Sequence, residues 1–84
     1  MAKVEIYTKS TCPFCVRAID LLKRKNIDFK HIEVGNDPEK RAKLEEKANG
    51  RHTVPQIFIN GKGIGGCDEL YELEESGKLD KMVG

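Results

Sequence analysis

The 84-residue sequence predicts an α/β fold, a mixed four-stranded sheet with helices on both faces, in one domain spanning 1–84. Three observations predict it. Val4, Ile6 and Tyr7 surround the charged Glu5 in a short run of β-formers. Immediately downstream Cys15, Ala18, Ile19 and Leu22 fall at i, i+3, i+4 and i+7, the period of an amphipathic helix. Near the other end Asn60-Gly61, a hairpin-turn dipeptide, separates two further strand-like runs.

The elements follow in order. The first strand covers Val4 to Tyr7, and Pro13 stands at an early position of the first helix, where its missing N–H costs nothing. Asn26 closes that helix. Ile27 to Val34 reads as a second strand, with Ile27, Phe29, Ile32 and Val34 as its apolar positions. Asp37 is an N-cap, followed by Pro38 and a charged helix through Ala42, Leu44 and Ala48 that stops at Asn49-Gly50. Its apolar face is thin, so it should pack lightly. Gln56 to Asn60, entered through Thr53-Val54-Pro55, is the third strand, and Lys62 to Ile64 the fourth. A last helix runs from Cys67 to Glu75 and ends at Ser76-Gly77, with one further turn available through Leu79, Met82 and Val83. A right-handed crossover makes the first two strands parallel, and the hairpin makes the last two antiparallel.

Composition narrows the function. A chain this short commits most apolar side chains to one core and leaves little room for an elaborate cofactor. The formal charge of +1 argues against nucleic-acid binding by bulk electrostatics. Met1-Ala2-Lys3 runs straight into the first strand with no apolar leader, so a cytoplasmic protein without a membrane span is expected. Acidic residues crowd the last seventeen positions, from Asp68 to Asp80, and read as solvated helix faces.

The chemistry lies in Cys12-Pro13-Phe14-Cys15. A Cys-x-x-Cys where a strand becomes a helix puts one thiol at the helix start and the other on its buried face, so the two are chemically unequal. Thiolate is the nucleophile, and the positive end of a helix dipole with its spare N–H donors favours thiolate at Cys12, with Lys9 as a second contributor. Cys15 stays protonated and shielded. Cys12 is thus expected to attack a disulfide, and Cys15 to resolve the mixed disulfide that results. A zinc site would need a second pair, and only Cys67, His31 and His52 remain to supply it. A structural disulfide closing so short a loop would remove little unfolded-state entropy.

Three separated motifs, Cys12-Pro13-Phe14-Cys15, Thr53-Val54-Pro55-Gln56-Ile57-Phe58-Ile59 and Gly65-Gly66-Cys67-Asp68-Glu69-Leu70, together make the chain resemble a bacterial dithiol glutaredoxin over essentially its whole length. The resemblance implies a thioredoxin-like fold, glutathione as reductant and co-substrate, no metal, and a monomer. It implies the reduction of protein disulfides and protein–glutathione mixed disulfides, with ribonucleotide reductase a family example of a client. Residue by residue it implies Cys12 as attacking and Cys15 as resolving thiol, and a cis bond before Pro55 that lets Val54 pair with the cysteinyl part of glutathione beside Thr53. It places the glycine carboxylate near Lys9 and Gln56, and the γ-glutamyl end near Gly66, Cys67 and Asp68. Physical chemistry agrees: glycines permit close approach, a helix start offers N–H groups to a carboxylate, and Asp68 can accept from an ammonium.

Phe14 departs from the usual family tyrosine, keeping the packing surface and losing a phenolic hydrogen bond. Cys67 is a third thiol beside the groove and is expected to serve as a small buried hydrophobe. His31 and His52 have no partner motif and read as surface or turn residues. Two other readings compete. A redoxin recharged by a flavoenzyme is disfavoured by the pocket-like Gly65-Gly66-Cys67-Asp68 segment, and an iron–sulfur carrier by Pro13 and the second cysteine.

Overall fold

The computed structural model describes residues 2–9, 12–35, 37–48 and 54–83. Its elements are β1 (Val4–Thr8), α1 (Pro13–Arg24), β2 (Lys30–Glu33), α2 (Pro38–Lys47), β3 (Gln56–Ile59), β4 (Lys62–Gly65), α3 (Cys67–Glu75) and α4 (Lys78–Val83). The strands form one sheet in the order β2-β1-β3-β4, with β1 parallel to β2 and antiparallel to β3, and β3 antiparallel to β4. This is the mixed four-stranded sheet that the sequence predicts.

All five residues of β1 are buried, because the strand is central and both its faces are covered. Val4 and Ile6 pack with Ile57 and Ile59 against Ala18, Leu21 and Leu22 of α1, Leu70 of α3 and Leu79 of α4. On the other face Tyr7 and Phe58 meet Val34, Leu44 and Ala48, the two rings edge to face at 5.5 Å. Alternation along the strand therefore sends its residues into two separate clusters. Leu44 is the one buried side chain of α2, which matches its thin apolar stripe. The carboxylate of Glu5, turned to the same face, lies 3.9 Å from Lys47 Nζ.

The punctuation residues act where expected. Asn26 takes φ 56° after α1, and Asn60 and Gly61 take φ 54° and 81° in the hairpin, the double left-handed geometry of a type I′ turn. Asp37 caps α2 by accepting from the N–H groups of Glu39 and Lys40. The expected helix stop at Asn49-Gly50 lies outside the described residues. The acidic end of the chain is more than a solvated face, since Lys25 reaches Glu74 at 2.7 Å and Asp80 at 2.9 Å and ties the end of α1 to α3 and α4.

The second strand is shorter than its pattern suggests. Pairing begins at Glu5 opposite Lys30, so residues 27 to 29 precede the ladder, and Val34 follows β2 while its N–H still donates to Thr8 O. Ile27 and Phe29 pack against the α1 side of the core. Their alternation records burial, and burial does not require a ladder.

Candidate functional site

The loop after β1 delivers Cys12 to the N-cap of α1 in extended conformation, and Pro13 opens the helix behind it. All three cysteines are free thiols. Cys12 Sγ accepts the N–H of Cys15 at 3.3 Å, a bond from the first helical turn that strengthens when sulfur carries charge. The same sulfur lies 3.7 Å from the Val54 carbonyl. Cys12 is partly exposed, whereas Cys15, one turn inside, is 2% exposed.

Burial first, and its contact with Cys12 second, together push the Cys15 thiol from an ordinary 9.0 up to about 12. Burial likewise raises Cys67, which belongs to the core cluster at 6% exposure. Cys15 carries a consequence for stability. Its folded form holds its proton to higher pH than the unfolded chain does, so the stabilisation is complete below about pH 9 and is lost as pH rises towards about 12. Reduced protein is therefore expected to lose stability over this window in denaturant titrations. Cys15→Ser should show a shallower decline, and equal slopes in the two proteins would contradict the assignment.

Beside the Cys12 sulfur runs a groove of about 390 Å³ lined by Phe14, Val54, Pro55, Gln56, Gly66, Cys67, Asp68 and Glu69. Three elements build it: the first turn of α1, the start of β3 and the first turn of α3. The Val54-Pro55 peptide bond is cis. Gly66 stands so near that a Cβ on it would lie 3.2 Å from the Pro55 carbonyl oxygen, so glycine allows α3 to start against the proline segment. Phe14 is 53% exposed, its ring forming a wall of the groove.

The structure thus brings Phe14, Val54, Pro55, Gln56, Gly66, Cys67 and Asp68 together. Lys9 lines a separate recess with Val34, Arg41, Leu44, Glu45 and Val54, and Val54 is the residue this recess shares with the groove. Thr53 and His52 lie outside the described residues. His31 sits exposed on β2, as a surface residue would, and its Nε2 pairs with Thr8 Oγ1. Glu69 is the groove residue that sequence reasoning did not single out. Its one signal was an acidic side chain at the third helical position, the far half of a capping box.

A partly exposed thiol at a helix start, a buried partner thiol one turn on, and a groove against a cis-proline define a dithiol–disulfide exchange protein on a thioredoxin-like sheet. Comparison with known proteins narrows that class. The glutaredoxin family profile matches residues 4–64, and the chain belongs to the glutaredoxin family, as a glutathione-dependent dithiol oxidoreductase. It is 51% identical over 83 residues to the glutaredoxin of Pseudomonas aeruginosa, covering 99% of this chain and 98% of that one. It is 49% identical over 83 residues to glutaredoxin 3 of Escherichia coli K12, covering 99% of each. Among solved structures, the glutaredoxin of Brucella melitensis superposes with a TM-score of 0.86 at 49% identity, over 99% of this chain and 89% of that one. A buckwheat glutaredoxin–glutathione complex also superposes with a TM-score of 0.86, at 32% identity, over 98% of this chain and 76% of that one. Among the described residues, no helix is long and apolar enough to cross a membrane.

Proposed function

We propose that residues 1–84 act as one cytoplasmic, monomeric, metal-free glutaredoxin domain in which Cys12 is the attacking thiol, Cys15 the resolving thiol and the adjoining groove the glutathione site. The observation that carries this reading is the placement of Cys12 Sγ, which accepts a helix-start N–H and touches the Val54 carbonyl at the mouth of the groove.

With a protein–glutathione mixed disulfide, the Cys12 thiolate attacks the glutathione sulfur. The old S–S bond breaks, and the client leaves as a thiolate that takes a proton. A second glutathione thiolate then attacks the glutathione sulfur held on Cys12, releasing oxidised glutathione and restoring the Cys12 thiolate. With a protein disulfide, Cys12 forms a mixed disulfide with the client. Cys15 gives up its proton and attacks Cys12 Sγ, and the departing client thiolate takes a proton. Two glutathiones then reduce the Cys12–Cys15 bond. Capping Cys12 in the mixed disulfide removes its charge from beside Cys15, leaving burial as the main barrier to that deprotonation.

In this reading the cysteinyl backbone of glutathione pairs with Val54 beside cis-Pro55, bordered by Thr53, and lies along Phe14. Its γ-glutamyl end meets Gly66, Cys67 and Asp68. The glycine carboxylate goes towards Gln56 on the groove side or Lys9 beyond Val54. Clients are glutathionylated or oxidised proteins, ribonucleotide reductase among them.

Asp68→Ala tests the groove. Losing a charge-assisted bond to the γ-glutamyl ammonium should cost roughly 1 to 3 kcal/mol in kcat/KM with glutathione, while alkylation of Cys12 by a small neutral reagent is unchanged. Lys9→Ala should weaken glutathione use modestly and reduce its salt sensitivity. If Asp68→Ala lowers efficiency equally with glutathione and with a small uncharged thiol, the pocket lies elsewhere.

A further inference from the structure

Among the described residues Glu5 is the only charged side chain that is buried, and the exchange steps above make no use of it. It stands on the central strand β1 directly opposite Phe58 of β3, and Tyr7, two residues on, shares its face of the sheet. Lys47, in the last turn of α2, covers all three. Its Nζ lies 3.9 Å from the Glu5 carboxylate, and 5.7 Å and 5.8 Å from the centres of the Tyr7 and Phe58 rings, within the range of cation–π attraction. Little else holds α2, since Leu44 is its one buried side chain. The two rings under Lys47 form the second core cluster with Val34, Leu44 and Ala48, and Val54 packs against that cluster. Val54 also lines the groove, and its carbonyl meets Cys12 Sγ at 3.7 Å. Contacts therefore run without a gap from the buried carboxylate to Cys12.

We infer that Lys47 is a positioning residue for exchange with glutathione: by neutralising Glu5 and covering Tyr7 and Phe58 it seats the end of α2, and that seat holds Val54 in the groove wall. The inference rests on the reading of Val54 as the backbone partner of glutathione and adds the residue that fixes it there. Energetics set Lys47 apart from an ordinary surface lysine. An ion pair between two exposed groups contributes little, but the Glu5 side chain is only 10% exposed, and removing the ammonium leaves its carboxylate without water or a counter-charge. That carboxylate can regain water only through the face that Lys47 covers. The end of α2 then lifts, and the cluster beneath it, Val54 included, loses its cover. Interaction with the Tyr7 side chain, and more weakly with Glu5, raises the Lys47 ammonium above its usual pKa, so the charge is present throughout the neutral range. Lys47 does not line the groove, and its effect on the ligand passes through Val54.

The test measures reduction of one peptide thiol capped either with glutathione or with 2-mercaptoethanol, at a fixed glutathione concentration. The second cap lacks the peptide backbone that Val54 pairs with. Lys47→Met keeps an aliphatic stem over the rings and removes the charge. It is expected to raise KM for the glutathionylated peptide about two- to fivefold, the worth of a partly exposed charge pair. Its kcat, and the rate with the mercaptoethanol-capped peptide, should be unaltered. Lys47→Arg retains the charge and the ring contact and should restore KM. Val54→Ala keeps the backbone but withdraws the side chain from the cluster, so in that background Lys47→Met should have no further effect on KM. An unchanged KM in Lys47→Met overturns the inference, as does a Lys47→Arg that behaves like Lys47→Met. Equal losses with both caps overturn it too, and make Lys47 a support of the fold at large. A full effect persisting in Val54→Ala also overturns it, the charge then acting on the anionic glutathionyl group through space. Failure of the unaltered protein to favour the glutathionylated peptide would instead overturn the groove assignment on which the inference rests.

Discussion

Cys12→Ser is expected to reduce exchange to background with every disulfide substrate, whereas Cys15→Ser divides the substrates into two groups. A serine hydroxyl stays protonated at neutral pH and forms no mixed disulfide, so nothing downstream of Cys12 can proceed. Cys15 matters only when the intermediate must be resolved from within. On a protein–glutathione mixed disulfide free glutathione performs that step, and Cys15→Ser should keep most of its activity. On a protein disulfide the buried thiol attacks from the next turn of α1, held where its own N–H reaches Cys12 Sγ at 3.3 Å. Well-oriented intramolecular groups reach effective concentrations of roughly 10⁵ M or more, which millimolar glutathione cannot replace. Loss of at least about a hundredfold is therefore expected there. Paired assays on one glutathionylated peptide and one disulfide-bonded protein check this, and equal losses for Cys15→Ser in both would contradict the division of roles.

The asymmetry between the thiols was legible because it depends on local geometry. Spacing alone puts Cys15 with Ala18 and Leu22 on the buried stripe and leaves Cys12 at the helix start. Boundaries marked by residues with special backbone freedom were legible for the same reason: Asn26, Asp37-Pro38 and Asn60-Gly61 each act on their own immediate chain. The start of β2 was not. Ile27 and Phe29 alternate as strand residues do, yet whether they pair depends on how far β1 extends opposite them, and β1 pairs only from Glu5 at Lys30.

The groove shows the same division. Motif positions at the start of β3 and of α3 converge because the sheet places β3 beside β1, a consequence of topology that the element order could predict. Lys9 depends on something finer. Its recess is formed with Arg41, Leu44 and Glu45 of α2, and no pattern in the sequence fixes how that lightly packed helix lies against the loop after β1. Glu69 was obscured for a different reason. An acidic third helical residue signals a capping box when serine or threonine stands at the cap, and here the cap is Gly66.

Because α3 carries one wall of the groove, its docking onto the sheet should govern both stability and glutathione use, and Leu70→Ala is the variant that isolates this. Leu70 is 0% exposed in the cluster that joins β1, β3, α1 and α4, and its N–H donates to the Gly66 carbonyl at 3.1 Å. Truncating a fully buried leucine removes transfer free energy and leaves a cavity, about 2 to 5 kcal/mol in sum. For a chain of 84 residues the whole stability is about 4 to 13 kcal/mol, so this single change consumes much of it. The denaturation midpoint should fall with little change in m-value. Val16→Ala, on the same core's helix α1 but 64% exposed, should shift stability by no more than about 0.5 kcal/mol. Under conditions where Leu70→Ala is still folded, KM for glutathione should change more than the rate of alkylation of Cys12 by a small neutral reagent, since the contacts of Cys12 Sγ are to the Cys15 N–H and the Val54 carbonyl and not to α3. A loss below about 1 kcal/mol would mean that α3 is not seated on the sheet through Leu70, and the wall it gives the groove would then need another support.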